Sequence, residues 1–314
     1  MPKPRLLLNL SENWTLIDPR DIRGQVALAV EAERAGFDGM MFSEHVVMGS
    51  GADANGVPMN PREFAMPGNQ HPSYPWPNSL VLMAAVAAAT TRVRIVGAAV
   101  IAPLRHPLLL AKELATLDLL AEGRLVILPS VSWHKAEYDA LAVPFERRGE
   151  ILDEQLQIWR AAWSGSPASF HGKFFNFDNI WLEPKAWRST GPTLWFGGGS
   201  LHTRMLDRLV RYGSGYMGLG PTSNADRARI AAALHDAGRD ISEIEFVGGI
   251  VGRFQDPTSC ANLDAALGGL APQIRAGIRT FVIKPCQFID DVAHFPEFAQ
   301  EVVEKSNRIS QQFS

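Results

Sequence analysis

The chain contains 314 residues, of which 46% are hydrophobic and 20% are charged, and its formal net charge is −3. This composition is typical of a folded globular protein and excludes an intrinsically disordered one. The chain is slightly acidic and has no long basic run, which excludes nucleic acid as a main partner. Its longest apolar run, Leu80 to Ala89, is far shorter than the roughly 20 residues that a transmembrane helix needs.

The cysteines and the N-terminus predict the compartment. Cys260 and Cys286 show no CxxC spacing, and the apolar run Leu6 to Leu8 is too short for the core of a signal peptide. We therefore expect free thiols in a cytoplasmic protein with no membrane partner.

Short apolar runs alternate with amphipathic segments along the chain. The first unit is a strand at Arg5–Leu10 and a helix at Asp21–Ala35, which Gly36 ends in the usual C-terminal position. The later strands are expected at Phe37–Phe42, Val93–Val100, Arg124–Leu128, Thr193–Phe196, Gly215–Leu219, Ile244–Val251 and Thr280–Ile283. The later helices are expected at Ser79–Ala89, Pro107–Leu120, Phe145–Trp163, Ser200–Arg211, Ser223–Asp236, Pro257–Ala276 and Asp290–Ser306.

About eight strand–helix units, with strands that read as continuous apolar runs, predict an α/β fold of the (β/α)8 TIM-barrel type. No linker divides the chain, so residues 1–314 are expected to form one domain. Two irregular stretches, about 46–78 and 164–192, are interpreted as insertions after strands two and four. A doubly wound open sheet would explain the alternation equally well but usually needs fewer units.

Active sites of such barrels lie at the C-terminal ends of the strands. This rule nominates Asn9 and Trp14 after strand one, His45 after strand two, Trp133 after strand four and Lys284 after strand eight. An imidazole at a strand end can relay a proton, although a lone histidine is more often structural. His45 is expected to point inward and its neighbour Glu44 toward the helices.

Aromatic residues at the predicted mouth of the barrel, which is the end where the C-termini of the strands meet, and a glycine-rich turn suggest a planar phosphorylated cofactor. Trp14, Trp76 and Trp133 are expected to line the substrate pocket, with core packing as the alternative. In the turn Gly197-Gly198-Gly199-Ser200, glycines and a helix N-terminus would cradle a phosphate, helped by the hydroxyl of Thr203. The alternative is that Ser200 merely caps the helix. The eight histidines form no HxxxH or HxH pair, so no metal site is expected.

Several ordered motifs resemble the bacterial luciferase-like oxidoreductases, which use flavin or deazaflavin. The similarity covers about Glu31 to Tyr216. It is carried by the segments EAERAGFDGMMFSEHV (Glu31–Val46), AAATTRVRIVGAAVIAPLRHPLLLAKELATLDLLAEGRL (Ala87–Leu125), ERRGEILDEQLQIWRAAWSG (Glu146–Gly165), FHGKFFNF (Phe170–Phe177) and GPTLWFGGGS (Gly191–Ser200).

The resemblance implies a TIM barrel that binds coenzyme F420 at the strand ends, with FMN as the alternative cofactor. Its phosphate would lie at Gly198, Gly199 and Ser200, and its ring would rest on a bulge after strand three. There a non-prolyl cis peptide of the deazaflavin members aligns with Ala99–Val100. His45 corresponds to a histidine near the reactive ring atom. The glycine-rich end of strand four is replaced by a run that contains Ser130 and Ser132, which are expected among the cofactor contacts.

Three functions remain open on this resemblance. The first is deazaflavin-dependent hydride transfer to or from a small organic substrate. The second is an FMN-dependent monooxygenase served by a separate reductase, and the third is a non-catalytic barrel that binds the cofactor. The resemblance also implies a homodimer. Four basic residues are candidates for binding an acidic deazaflavin tail or are simply solvated charges: Arg105, Lys135, Lys173 and Lys185.

Overall fold

A closed barrel of eight parallel strands forms the centre of the computed structural model, which describes residues 3–313. The strand order around the barrel is β1-β10-β9-β8-β7-β4-β3-β2. The strands are β1 (Arg5–Asn9), β2 (Gly39–Phe42), β3 (Arg94–Ile101), β4 (Leu125–Ser130), β5 (Ala168–His171), β6 (Asn176–Ile180), β7 (Thr193–Gly198), β8 (Gly215–Gly218), β9 (Glu245–Ile250) and β10 (Thr280–Ile283). The predicted (β/α)8 barrel is confirmed, and β5 and β6 form a separate hairpin.

The helices surround the barrel. They are α1 (Ile22–Ala35), α2 (Ser79–Ala89), α3 (Pro107–Leu120), α4 (Lys135–Ala140), α5 (Arg148–Ser164), α6 (Thr203–Tyr212), α7 (Asn224–Asp236), α8 (Leu263–Gly268), α9 (Leu270–Arg275) and α10 (Phe295–Gln311). The local signals behave as expected: Asp21 caps α1, and Gly36 ends it in the left-handed region at φ 103°. None of the helices within residues 3–313 has the length and apolarity to cross a membrane.

Three element predictions need correction. The segment Pro257–Ala276 is not one helix, because it divides into α8 and α9 at Gly268 and Gly269. No helix is predicted between strand four and Phe145, where the structure forms the short helix α4. Helix α6 begins at Thr203 and not at Ser200, because β7 continues through Gly197 and Gly198.

Side chains of each strand alternate between two apolar layers. Leu6 and Leu8 of β1 pack outward against the helices, whereas Leu7 points to the barrel axis. The interior layer is formed by Leu7, Met41, Val96, Val126, Leu128, Trp195, Val247 and Val282. Trp159, Trp163 and Trp195 are fully buried in the core.

The N-terminal end of the barrel is closed by an ion-pair network. Arg94 makes a bidentate contact with Glu245, at 2.8 and 2.9 Å. Arg5 lies 3.2 Å from the same carboxylate and donates to Thr280 Oγ1 at 3.1 Å. The Thr280 hydroxyl also donates to Glu245. Arg5, Arg94 and Glu245 are therefore paired within one network.

The first insertion connects β2 to α2 and contains no helix or strand. It crosses the ends of β1, β10 and β9. Ala65 N donates to Glu12 Oε2 at 2.9 Å, and Asn60 Nδ2 donates to the carbonyls of Asp256 and Ser259 at 3.0 and 2.9 Å. Leu219 after β8 and Val251 directly after β9 nevertheless remain 52% and 51% exposed.

The second insertion follows α5, the helix of the unit that β4 begins, and carries the β5–β6 hairpin. Its aromatic residues do not join those at the mouth. Phe175 packs against His106 at the start of α3 at 5.4 Å, Trp181 is exposed, and Trp187 covers Gly123 at the opposite end of the barrel. Phe175 thus meets the start of a helix on the side of the barrel where the strands end, whereas Trp187 lies on the other side. A contribution of this insertion to the substrate pocket stays a prediction.

Candidate active site

His45 lies in the loop directly after β2 and is only 6% exposed. Its Nδ1 atom is 3.3 Å from Oε2 of Glu137, a fully buried carboxylate on α4. The remaining ring nitrogen, Nε2, has no hydrogen-bond partner among residues 3–313. We assign the proton to Nδ1 from this hydrogen-bond pattern, which leaves Nε2 as the free nitrogen at the mouth.

The Glu137 carboxylate is held by more than the imidazole. Its Oε1 atom accepts hydrogen bonds from Val46 N at 2.5 Å and Val47 N at 3.2 Å. These backbone donors belong to the residues that follow His45, so one carboxylate fixes both the ring and its loop. Glu137 thereby orients His45, as carboxylates orient histidines in many catalytic sites.

His134 fastens the same loop from the other side. Its Nε2 accepts the backbone N–H of Gly49 at 2.8 Å, and the side chain is buried. Burial lowers the pKa of His134, and nearby His45 adds to this although Glu137 opposes it. A neutral ring is what an acceptor nitrogen requires, so His134 is a structural residue here.

Aromatic rings form an arc that includes His45. Trp14 and Trp76 meet edge to face at 5.3 Å, Trp76 and His45 at 5.2 Å, and His45 and Trp133 at 5.8 Å. Tyr74 adds a contact with Trp14 at 4.2 Å. The structure thus brings Trp14, Trp76 and Trp133 together around His45, while their role in substrate binding stays a prediction.

Glu44 points away from the barrel axis, as the alternation along a strand predicts. Its carboxylate accepts from Ser79 Oγ at 2.6 Å and from Ile101 N at 2.7 Å, and pairs with Arg105 at 2.7 and 3.0 Å. The charge of Arg105 is therefore paired with Glu44 on the outer side of the barrel. Its proposed contact with an acidic tail is not supported, because its guanidinium already serves Glu44.

A bulge interrupts β3 where it meets β4. Ala98 pairs with Leu128 and Val100 pairs with Pro129, so Ala99 is the additional residue. The cis peptide joins Ala98 to Ala99, which corrects the predicted position between Ala99 and Val100. The bulge turns the side chain of Val100 outward into the helix-facing core, while Ala98 and Ala99 stay half-buried beside the interior layer. Contact of Ala99 and Val100 with a cofactor stays a prediction.

In the glycine-rich segment Gly197–Ser200, the first glycine is required by strand packing, whereas Gly199 is not. A Cβ on Gly197 would lie 1.6 Å from the Met217 carbonyl oxygen, so strand packing alone requires this glycine. Gly199 and Ser200 are exposed, and a Cβ on Gly199 would meet nothing within 4 Å. The cap of α6 is His202, whose Nδ1 accepts from Met205 N at 3.3 Å, and not Ser200. Gly199, Ser200 and Thr203 therefore leave an open, hydroxyl-bearing surface at the helix N-terminus.

The two serines at the end of β4 serve the local turn. Ser130 Oγ accepts from Ser132 N at 3.0 Å, and Ser132 has a left-handed backbone at φ 53°. The Ser130 hydroxyl thus stabilises the left-handed backbone at Ser132. Both remain half-buried near the mouth, and their contact with a cofactor stays a prediction.

A buried ion pair supports the first insertion. Lys284 is fully buried after β10, and its Nζ donates to Glu63 O at 2.7 Å and lies 3.5 Å from Glu12 Oε2. Glu12 also accepts from Ser43 Oγ at 2.6 Å. Lys284, nominated by its place after strand eight, thus fixes the loops and is not a free cation.

The other basic candidates are also engaged. Lys135 pairs with Asp139 at 2.6 Å, and Lys173 lies 3.4 Å from Glu150. Lys185 Nζ donates to the carbonyl of Ala162 at 2.8 Å. A cleft of about 330 Å³ between the first insertion and the β4–α4 connection is lined by Lys135, among other residues. Within residues 3–313, no cluster of His, Cys, Asp and Glu has the geometry to hold a metal ion.

Sequence reasoning missed Glu137, the residue that most directly controls His45. It lies 92 positions from His45 and on a helix that was not recognised. The only available signal was its place shortly after the end of strand four, where barrel sites are built.

Comparisons with known proteins identify a family and a shared fold. Residues 6–252 match the family described as luciferase-like monooxygenase. An FMNH2-dependent dimethylsulfone monooxygenase from Pseudomonas putida is 28% identical over 223 residues, which are 68% of this chain and 55% of that relative. The chain thus spans about half the length of that curated relative.

Solved structures share the fold at low identity. A monooxygenase from Streptomyces bottropensis has a TM-score of 0.71 at 18% identity and covers 99% of this chain and 100% of its own. A coenzyme F420-dependent tetrahydromethanopterin reductase from Methanopyrus kandleri has a TM-score of 0.66 at 14% identity, with 97% and 98% covered.

Proposed function

The chain belongs to the luciferase-like monooxygenase family, and on that premise we propose that it is an oxidoreductase that uses coenzyme F420 for hydride transfer to or from a small organic substrate. The observation that carries the proposal is the His45–Glu137 pair at the barrel mouth. A proton must be added or removed when a carbonyl and an alcohol interconvert, and the free Nε2 of His45 is placed to do this.

The residues at the mouth fit a flavin-type cofactor. The open surface at Gly199, Ser200 and Thr203 suits a phosphate at the N-terminus of α6. Half-buried Ala98 and Ala99 offer a small apolar surface for a planar ring. A bound deazaflavin would supply the hydride chemistry.

This chain's own residues supply orientation and proton transfer. Glu137 keeps the proton of His45 on Nδ1, so that Nε2 accepts a proton from a substrate hydroxyl or, once protonated, returns it to a carbonyl oxygen. The rings of Trp76 and Trp133 on either side of His45 exclude water and favour an apolar substrate. The substrate class that we propose is therefore a small, largely apolar alcohol or carbonyl compound.

A second candidate is an FMN-dependent monooxygenase, with reduced flavin supplied by a separate reductase. The observation in its favour is the similarity in sequence to an FMNH2-dependent enzyme. The same phosphate surface and the same histidine would serve this chemistry. The two proposals therefore differ in which cofactor the protein binds.

Anaerobic titration of the purified protein with coenzyme F420 and with FMN, each oxidised and reduced, tests the cofactor. We expect saturable quenching of cofactor fluorescence with F420. Tight binding of FMN or its reduced form without any F420 binding would overturn the first proposal in favour of the second. Binding without turnover on a panel of alcohols, carbonyl compounds and alkenes would favour the non-catalytic barrel.

The role of His45 is tested with His45→Ala against the matched control His235→Ala, whose ring is 91% exposed on α7. We expect His45→Ala to lower kcat by about 10²–10⁴-fold, the usual contribution of a general acid or base. Cofactor affinity should change little. Turnover equal to that of His235→Ala would show that His45 does not transfer the proton.

A further inference from the structure

Asn9 is the last residue of β1 and is fully buried. Both polar atoms of its side chain, Oδ1 and Nδ2, lack a hydrogen-bond partner among the residues that the structure describes. Among the side-chain amides of residues 3–313, only Asn9 has both atoms buried and unpartnered. A buried amide without partners is costly, because it loses its hydrogen bonds to water and gains none from the protein.

The side chain of Asn9 points toward the barrel axis. It lies on the same face of β1 as Leu7, which belongs to the interior layer, and it pairs in register with Met41 of that layer. Asn9 therefore lies one layer above Leu7, at the end of the barrel that carries His45 and the β3 bulge. The amide is placed at the mouth and not in the helix-facing core.

The neighbouring Asn13 shows what a structural asparagine looks like in this chain. Its Nδ2 donates to the carbonyls of Asn9 and Leu10 at 2.8 and 3.1 Å, and its Oδ1 accepts from Cys286 N at 3.1 Å. Asn13 is as buried as Asn9, yet both atoms of its amide are used. The unused amide of Asn9 is thus a property of its position and not of buried asparagines in this fold.

We propose that Asn9 recognises the imide edge of the cofactor. A carboxamide presents one donor and one acceptor side by side, and it pairs with a group that presents the complementary set. The pyrimidinedione edge of flavins and deazaflavins is such a group, with an N3–H between two carbonyls. The inference rests on the proposed function but not on the choice between the two cofactors, since both carry this edge.

Asn9→Leu tests the proposal, because leucine has nearly the same shape and no polar atoms. We expect affinity for the bound cofactor, measured by fluorescence titration, to fall about tenfold when the paired hydrogen bonds are lost. The melting temperature of the cofactor-free protein should rise, because an unpartnered polar group is removed. The matched variant Asn13→Leu should lower the melting temperature.

A second measurement tests whether Asn9 contacts the imide edge of the cofactor. FMN and 3-methyl-FMN are titrated against wild type and Asn9→Leu, and the N3-methyl deazaflavin replaces 3-methyl-FMN if only F420 binds. Methylation should weaken binding to wild type about tenfold and have little effect on Asn9→Leu. Equal cofactor affinity for wild type and Asn9→Leu would overturn the inference alone. Failure of wild type to bind either cofactor would instead overturn the proposed function.

Discussion

The two ends of the barrel are built from the same strands but differ in how completely their polar groups are paired. At the N-terminal end, Glu245 collects Arg5, Arg94 and Thr280 into one paired network. At the C-terminal end, the Asn9 amide and the His45 Nε2 have no hydrogen-bond partner within the described part of the chain. Paired groups stabilise the fold, whereas unpaired groups cost stability and mark a place where a ligand completes the structure.

The largest expected effect comes from the glycine that the fold itself requires. In Gly197→Ala the new Cβ would overlap the Met217 carbonyl oxygen, at 1.6 Å, and backbone on both sides of the contact prevents relief. We expect a loss of more than about 4 kcal/mol in the free energy of unfolding, measured by urea denaturation or, if too little protein folds, by soluble yield. A stable variant would show that β7 and β8 are packed less closely than described.

The next effect is on the N-terminal end. Glu245→Gln removes the charge that Arg5 and Arg94 share, and we expect the free energy of unfolding to fall by about 3 kcal/mol. Cofactor affinity should stay within about twofold of wild type, since the network is at the opposite end of the barrel. A clear loss of cofactor affinity in Glu245→Gln would show that the two ends of the barrel do not act independently.

The pH dependence of stability in wild type and Glu245→Gln provides a control for the assigned ion pair. Burial alone would raise the pKa of Glu245, but the hydrogen bonds and charge of Arg94, with Thr280 and Arg5, outweigh it and lower the pKa below its usual range. The carboxylate therefore stabilises the fold fully above its unfolded pKa of about 4.3, and this contribution disappears as pH falls through the lowered folded pKa. The difference in stability between wild type and Glu245→Gln should narrow as the pH falls below about 5.

A smaller effect is expected from Glu137→Gln at the C-terminal end. The amide no longer requires the proton of His45 on Nδ1, so nitrogen NMR shifts should report a mixture of tautomers in place of one. We expect kcat to fall about 10–100-fold while cofactor affinity changes little. An unchanged tautomer, with turnover equal to wild type, would mean that Glu137 only holds the backbone of Val46 and Val47.

The smallest effect on stability is expected for Gly199→Ala, two residues from the glycine that the fold requires. The new methyl group meets no atom within 4 Å, so the free energy of unfolding should change by less than about 0.5 kcal/mol. Affinity for FMN or F420 should nevertheless fall several-fold if a phosphate approaches this backbone, whereas riboflavin, which lacks the phosphate, should be unaffected. Unchanged affinity for all of them would place the phosphate elsewhere.

The sequence by itself determined the barrel, most element positions and several residues at the mouth. Helices Ser79–Ala89 and Pro107–Leu120 and strand Thr280–Ile283 match their predicted bounds, because caps, prolines and apolar periodicity are local signals. His45 and the tryptophans were nominated by the same logic, since strand ends meet at one edge of the barrel.

Tertiary structure alone decided which of these residues have partners. Glu137 reaches His45 across 92 positions, and Arg105 is taken up by Glu44 instead of facing a ligand. The bulge that turns Val100 outward depends on the register between β3 and β4. Local sequence signals predict which end of a strand carries a polar residue. Its hydrogen-bond partners, however, lie on strands and helices that come together only in the folded protein. For that reason the satisfied Asn13 and the unsatisfied Asn9 look alike in sequence.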